Sequence, residues 1–161
     1  MPNHLSSLGI FHTIISILAI IVALIALYRD GRIAPRSGPG KWYIVLTIAT
    51  CLTSFGIMKT GHFTPAHALS VIVLILLPIG IYARQLFGRQ GEKVETIFMS
   101  LTLFLSFIPA ITETLTRLPI SHPVAEGPDA SVIKISNLVL LIVFVAGIFL
   151  QLSRLKKQRL A

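Results

Sequence analysis

The stretch LGIFHTIISILAIIVALIALY, Leu8–Tyr28, contains no Asp, Glu, Lys or Arg and is long enough to cross a bilayer as a helix. Backbone N–H and C=O groups find no water in the hydrocarbon core, so they must bond within the segment, as a helix allows. Four further stretches are similarly apolar, and none alternates as a membrane β-strand does. The sequence therefore predicts an all-α membrane protein, a bundle of five transmembrane helices forming a single domain over residues 1–161, with spans at Leu8–Tyr28, Trp42–Met58, Ala66–Ala83, Glu95–Leu115 and Val132–Leu152.

The composition favours a bilayer rather than nucleic acid as the partner of this chain. Only 12% of the residues are charged, about half the usual fraction in soluble domains, and the mean hydropathy is +0.84. The net charge of +8 comes from Lys and Arg beside the spans, with no basic face interleaved with exposed aromatic residues. The lone Cys51 excludes an intrachain disulfide and a Cys-based metal motif. The expected partners are the lipid bilayer and either a membrane protein or a second copy of the chain, with no nucleic acid.

The distribution of Lys and Arg predicts the orientation of the chain. Of the 14 Lys and Arg residues, eleven fall in the first connector, the third connector and the C-terminal tail, and three (Lys59, Arg117 and Lys134) fall in or at the edge of the second and fourth connectors. By the positive-inside rule, the N-terminus lies outside and the C-terminus lies in the cytoplasm of a bacterial inner membrane. The first span has no basic residues before it and no small-residue cleavage site after it, so we expect it to be retained rather than removed as a signal peptide.

Each predicted helix carries one polar side chain at about the same depth, near the outer end of its span. Polar and ionisable groups at this depth usually face a cavity or one another. We therefore predict a polar His/Glu site at the outer face. The expected cofactor-binding residues are His12 and His67, the weaker candidate metal ligands are Glu113 and His62, and the supporting residues are Ser54, Ser70 and Asn137.

Simpler interpretations of these residues stay open. Glu113 and Arg117 are spaced i, i+4, which suits a surface ion pair at a helix end. His67 opens its span and can cap it. The small and polar residues that recur on each span, such as Ser16 and Thr47, suit close packing of helices.

Three kinds of chemistry suit two imidazoles at one depth. They are axial ligation of a haem near the outer surface, coordination of a divalent metal shared with Glu113, and proton exchange with a quinone or a lipid headgroup. The sequence contains no Ser/His/Asp arrangement and no phosphate-binding loop. We therefore assign no catalytic residue, and the sequence argues against an enzyme.

A recognisable pattern is carried by three segments: SFGI at Ser54–Ile57, GHFTPAHALSV at Gly61–Val71 and IPAITETLTRLP at Ile108–Pro119. The pattern resembles that of a group of small bacterial membrane proteins that are classed only as a domain of unknown function. The resemblance implies a polytopic fold, singles out His12, His67 and Glu113, and implies no known activity. Many members place a further His before the fourth span, where this chain has Gly91-Glu92-Lys93.

The resulting functional hypothesis is an integral membrane binding or accessory module with its polar site at the outer face. One alternative is a haem-binding redox protein with His12 and His67 as axial ligands. Another is a structural subunit of a membrane complex. A transporter of the repeat type is least favoured, because five spans cannot divide into two inverted halves.

Overall fold

The computed structural model describes residues 6–57 and 64–160, and all regular structure in this part of the chain is helical. The helices are α1 (Ser7–Asp30), α2 (Gly38–Ser54), α3 (Pro65–Leu86), α4 (Gly91–Arg117) and α5 (Ser131–Leu160), with a 3₁₀ turn at Gly88–Gln90 before α4. The predicted all-α class is confirmed for the residues described.

Within the described residues, four helices are long and apolar enough to cross a membrane: Ser7–Asp30, Pro65–Leu86, Gly88–Arg117 and Ser131–Gln158. The remaining helix, α2, has 17 residues. At 1.5 Å per residue its length is about 26 Å, slightly less than the ~30 Å hydrocarbon core. The structure thus supports a multi-pass helical membrane protein, in which a crossing by α2 depends on its flanks and on local bilayer thickness.

Helix capping and close packing move two helix starts away from the limits that hydropathy predicts. α2 begins before Trp42 because the Ser37 hydroxyl accepts the N–H of Gly40 at 3.1 Å and caps the first turn. α4 begins at Gly91, ahead of Glu95. Both helices therefore extend beyond the predicted spans at their N-terminal ends.

The bundle has α3 packed against α4, α1 against α2, α4 against α5 and α2 against α3, with a smaller contact between α1 and α4. Within the described residues, α5 packs only against α4. Small side chains on α1 let neighbouring backbones approach closely, as is usual in membrane bundles. The central cluster includes Ala19, Ala23, Ala26, Tyr43, Leu77, Met99 and Leu103.

The buried face of α2 is its polar face. The buried residues of this helix are Gly40, Tyr43, Thr47 and Cys51. By contrast, the apolar residues Trp42, Val45 and Leu52 are each more than half exposed. An amphipathic helix of a soluble protein has the reverse arrangement. Hydroxyl groups inside and apolar side chains outside suit a helix that is surrounded by lipid.

Candidate functional site

His67 lies in the first turn of α3 and is only 3% exposed. Its Nδ1 lies 3.0 Å from the backbone nitrogen of Thr64 and accepts that N–H, as the third residue of a capping box does. The proton is therefore on Nε2, which lies 3.1 Å from the carbonyl oxygen of Ser54. The ring also stacks on Phe55, with 6.1 Å between ring centroids. His67 thus joins the end of α2 to the start of α3 through both ring nitrogens.

Ser54 and Ser70 extend this junction between α2 and α3. Their hydroxyl oxygens are 2.8 Å apart. Each also lies within hydrogen-bond distance of a carbonyl in its own helix, Ser54 with Cys51 at 2.7 Å and Ser70 with Ala66 at 3.2 Å. Each hydroxyl has one proton to donate. The proton of one serine is donated to the other serine, and the proton of that second serine is donated to a carbonyl of its own helix, so both protons are satisfied. The two serines expected as supporting residues therefore lie beside His67.

His12 on α1 binds the same turn of α2 from another side. Its Nδ1 lies 2.9 Å from Oγ1 of Thr53. The Thr53 hydroxyl also lies 2.9 Å from the carbonyl oxygen of Ala49, so its single proton can be donated there while it accepts from His12. Because Thr53 and Ser54 are consecutive, the two histidines bind neighbouring residues at the end of α2.

Glu113 forms an ion pair with Arg117, one turn further along α4. The Glu113 side chain is 58% exposed, and it lies near enough to His12 for an electrostatic interaction between α4 and α1. Among the described residues, no three His, Cys, Asp or Glu side chains form a group that could hold a metal ion. The arrangement is therefore a partly buried imidazole and an exposed carboxylate that interact through charge.

Two of the residues selected from the sequence are not joined to this group. Asn137 lies on α5, and its Oδ1 is buried with no hydrogen-bond partner in the part of the chain that the structure describes. His62 lies outside the described residues, as does His4. We call the residues that do converge the α2-end cluster, which comprises His12, Thr53, Ser54, His67 and Ser70.

The α2-end cluster offers an external ligand one imidazole rather than two. Both nitrogens of His67 are engaged within the fold, so ligation of a haem iron by His67 requires loss of a helix cap and of a bond between helices. His12 is only partly buried and interacts electrostatically with the Glu113 carboxylate. A partly buried imidazole can bind polar groups by hydrogen bonds and charge.

A network of charged residues at the opposite end of the bundle was not predicted from the sequence. It joins Arg32 in the first connector and Arg84 near the end of α3 to Glu92 and Glu95 on α4. Nη1 of Arg32 lies 2.9 Å from Oε1 of Glu95, and Nε of Arg84 lies 2.8 Å from Oε2 of the same carboxylate. Both arginines also contact Glu92, at 2.9 and 3.2 Å. Glu95 is only 2% exposed, and pairing of both its oxygens offsets the cost of burying its charge.

Two features of the sequence could have indicated this ion-pair network. Hydropathy places Glu95 at the start of a span, but Glu92 and Glu95 are spaced i, i+3 and share one face of a helix. A short turn separates them from Arg84 at the end of α3. At Gly91, the first residue of α4 after this turn, a Cβ would lie 2.4 Å from Cα of Arg84. Glycine at this position therefore permits the close approach of α3 and α4. Paired carboxylates directly after a span that ends in arginine therefore predict an ion pair.

Comparisons with known proteins leave the geometry as the basis for assigning a function. The chain matches no family model, and no curated protein and no solved structure is significantly similar to it. The functional argument therefore depends on the α2-end cluster, on the ion-pair network and on the exposed apolar surface.

Proposed function

We propose that this chain is a five-span protein of a bacterial cytoplasmic membrane, with its N-terminus outside and its C-terminus in the cytoplasm, that serves as a binding or accessory module. Its ligand is an amphiphile whose polar head contacts the α2-end cluster. The observation that carries the proposal is the attachment of His12 and His67 to consecutive residues at the end of α2.

The proposed orientation is supported by the charges at the two ends of the bundle. Arg32 and Arg84 of the ion-pair network belong to the first and third connectors, which together with the C-terminal tail carry eleven of the 14 Lys and Arg residues. The α2-end cluster lies at the other end. The positive-inside rule then puts the ion-pair network in the cytoplasmic interface and the α2-end cluster at the outer one.

The surroundings of His12 favour an amphiphile over a soluble ligand. Ile10, Phe11 and Ile14 lie at the depth of His12 on other faces of α1, and each is about half exposed. His12 is therefore at a depth where α1 is surrounded by hydrocarbon, so a ligand whose polar head reaches His12 also needs an apolar part. Ionisable groups at this depth commonly mark a binding site. His12 is accordingly the contact residue, and His67 is a positioning residue that holds the end of α2.

Analysis of co-purified lipids and quinones tests this proposal. The protein is extracted in native-membrane nanodiscs, and its bound amphiphiles are compared by mass spectrometry for the wild type and His12→Ala. Thr13→Ala is a matched control, because Thr13 is exposed at the same depth and donates only to its own helix at the Gly9 carbonyl. We expect an amphiphile enriched over the bulk membrane in the wild type and in Thr13→Ala, and lost in His12→Ala.

The competing functions predict different results in the same preparations. A haem absorption band that forms on haem addition and disappears in His12→Ala would replace the proposal with the redox function. If the wild type, His12→Ala and His67→Ala carried the same amphiphiles and assembled into the same membrane complex, a structural subunit would be the better account.

A further inference from the structure

A polar cavity of about 230 Å³ lies between the C-terminal end of α1 and the last turns of α5. In the described part of the chain the backbones of these two helices do not approach each other closely, and α5 packs along α4. The cavity is therefore an opening between two helix ends. Its walls are residues 28–32 and one side of the last turns of α5, and they include Arg29, Arg32 and Arg154.

Two of the three arginines that face this cavity have no carboxylate partner among the residues that the structure describes. Arg32 is held by the two carboxylates of the ion-pair network. Arg29 and Arg154 form no ion pair with any residue that the structure describes. Among the described residues of the walls, Asp30 is the one that is acidic. Two guanidinium groups are thus available to an anion, against one carboxylate.

The Arg154 guanidinium lies close to Gly31 at the end of α1. This residue ends the helix in the left-handed conformation, with φ 69°, and a Cβ at Gly31 would lie 3.5 Å from Nη1 of Arg154. The C-terminal end of a helix carries partial negative charge, which favours a cation at this position. A guanidinium has five N–H donors, so Arg154 retains donors for a ligand in the cavity.

The cavity lies at the level of the lipid headgroups. The apolar stretches of α1 and α5 end at Tyr28 and Leu152, immediately before the arginines of the walls. Basic pockets at this depth attract anionic headgroups, and guanidinium groups bind phosphate oxygens in pairs. The volume is below the roughly 300–1,000 Å³ of pockets that enclose whole small molecules, so it suits a single phosphate-bearing group.

We propose that this cavity binds a phosphate ester through Arg29 and Arg154, the ester being either the headgroup of an anionic phospholipid or a soluble phosphate compound. The site is separate from the function proposed above, because it lies at the opposite end of the bundle from the α2-end cluster. Arg32, fixed by its carboxylate partners, forms one wall of the site.

Native mass spectrometry of the full chain in phosphatidylcholine nanodiscs doped with phosphatidylglycerol tests the proposal. The double variant Arg29→Gln/Arg154→Gln is compared with Lys156→Gln/Lys157→Gln, which loses the same charge from the same end of the bundle without altering the cavity walls. We expect the arginine double variant to retain phosphatidylglycerol about tenfold less than the wild type, because it loses charge-assisted hydrogen bonds. The lysine double variant should stay within about twofold of the wild type, because distant surface charges are screened.

Two further measurements separate the sources of the phosphate and guard against misfolding. Competition by inorganic phosphate for the retained phosphatidylglycerol would identify a soluble phosphate site, whereas its absence would identify a lipid site. Arg154→Lys keeps the charge but loses the planar fork, and we expect a smaller, several-fold loss of retention. Equal retention by the two double variants, or no preference of the wild type for phosphatidylglycerol together with no thermal shift in inorganic phosphate, would overturn the proposal.

Discussion

His12 and His67 bind consecutive residues of α2, His12 at the Thr53 hydroxyl and His67 at the Ser54 carbonyl. The carbonyls in the last turn of a helix have no partner within that helix. By donating to one of them, His67 completes the end of α2 while its other nitrogen caps the start of α3. The two histidines should therefore differ in their effects, His67 on stability and His12 on ligand binding.

Replacement of His67 by alanine should lower the free energy of unfolding by about 1–3 kcal/mol, because a helix cap and a buried hydrogen bond are both lost. Glutamine at this position can still accept the Thr64 N–H in a capping box, so His67→Gln should recover part of the loss. Thermal unfolding in detergent measures both variants. An unchanged midpoint for His67→Ala would show that the bonds to Thr64 and Ser54 contribute nothing to stability.

Removal of the charge of Glu95 should be more damaging than removal of the charge of Glu92. Glu95 is 2% exposed and binds two arginines, so Glu95→Gln should cost about 3–5 kcal/mol. The Glu92 side chain is 24% exposed, and Glu92→Gln should cost about 1 kcal/mol or less because solvent screens this pair. The yield of monodisperse protein and its unfolding midpoint rank the variants, and equal losses would contradict the assignment of Glu95 as the centre of the network.

Two buried threonines provide a matched test of the polar interior. Oγ1 of Thr47 has no hydrogen-bond partner among the described residues, so Thr47→Val should be neutral or stabilising by up to about 1 kcal/mol. Thr102 accepts a 2.9 Å bond from the Tyr43 hydroxyl, and Thr102→Val should cost about 1–3 kcal/mol. Urea or thermal unfolding of both variants gives the comparison. A larger loss for Thr47→Val than for Thr102→Val would refute it.

The close approach of α3 and α4 should make Gly91 intolerant of a side chain. A Cβ there would lie 2.4 Å from Cα of Arg84 and 2.6 Å from the carbonyl oxygen of Ala83, and backbone atoms cannot rotate away. Gly91→Ala should therefore cost at least about 1–3 kcal/mol, as overpacking does. Gly38→Ala is the control, since a Cβ at Gly38 meets nothing within 4 Å. If the two variants unfold at the same temperature, the α3–α4 contact is looser than described.

Hydropathy was sufficient to predict the helices, because each long apolar segment can satisfy its backbone in lipid only as a helix. It was less informative about helix starts. The cap at Ser37 and the close contact at Gly91 depend on local bonds and on packing, which a hydropathy average does not contain. Shared depth indicated that His12, Ser54 and Ser70 lie near His67, but it did not separate them from Asn137, which is not joined to this group. The sequence also did not indicate which atoms of His67 are engaged within the fold.

The ion-pair network shows a second limit of prediction from one sequence. The positive-inside rule uses Arg32 and Arg84 only as indicators of orientation, because a count of positive charges ignores where each side chain points. Arg32 reaches Glu95 from a connector 63 positions away along the chain, and no pattern of spacing predicts such a contact. Thr64 and His67, by contrast, stand at the two positions of a capping box, so a local rule could have identified the role of His67.

The compartment of each end of the chain tests the central claim most directly, since the proposed outer site requires an odd number of membrane crossings. Epitope tags are fused to both termini, and their accessibility to a membrane-impermeant reagent is measured in intact and in permeabilised cells. We predict that the N-terminal tag reacts in intact cells and that the C-terminal tag reacts only after permeabilisation. Reaction of both tags under the same condition would contradict five spans and the proposed position of the α2-end cluster.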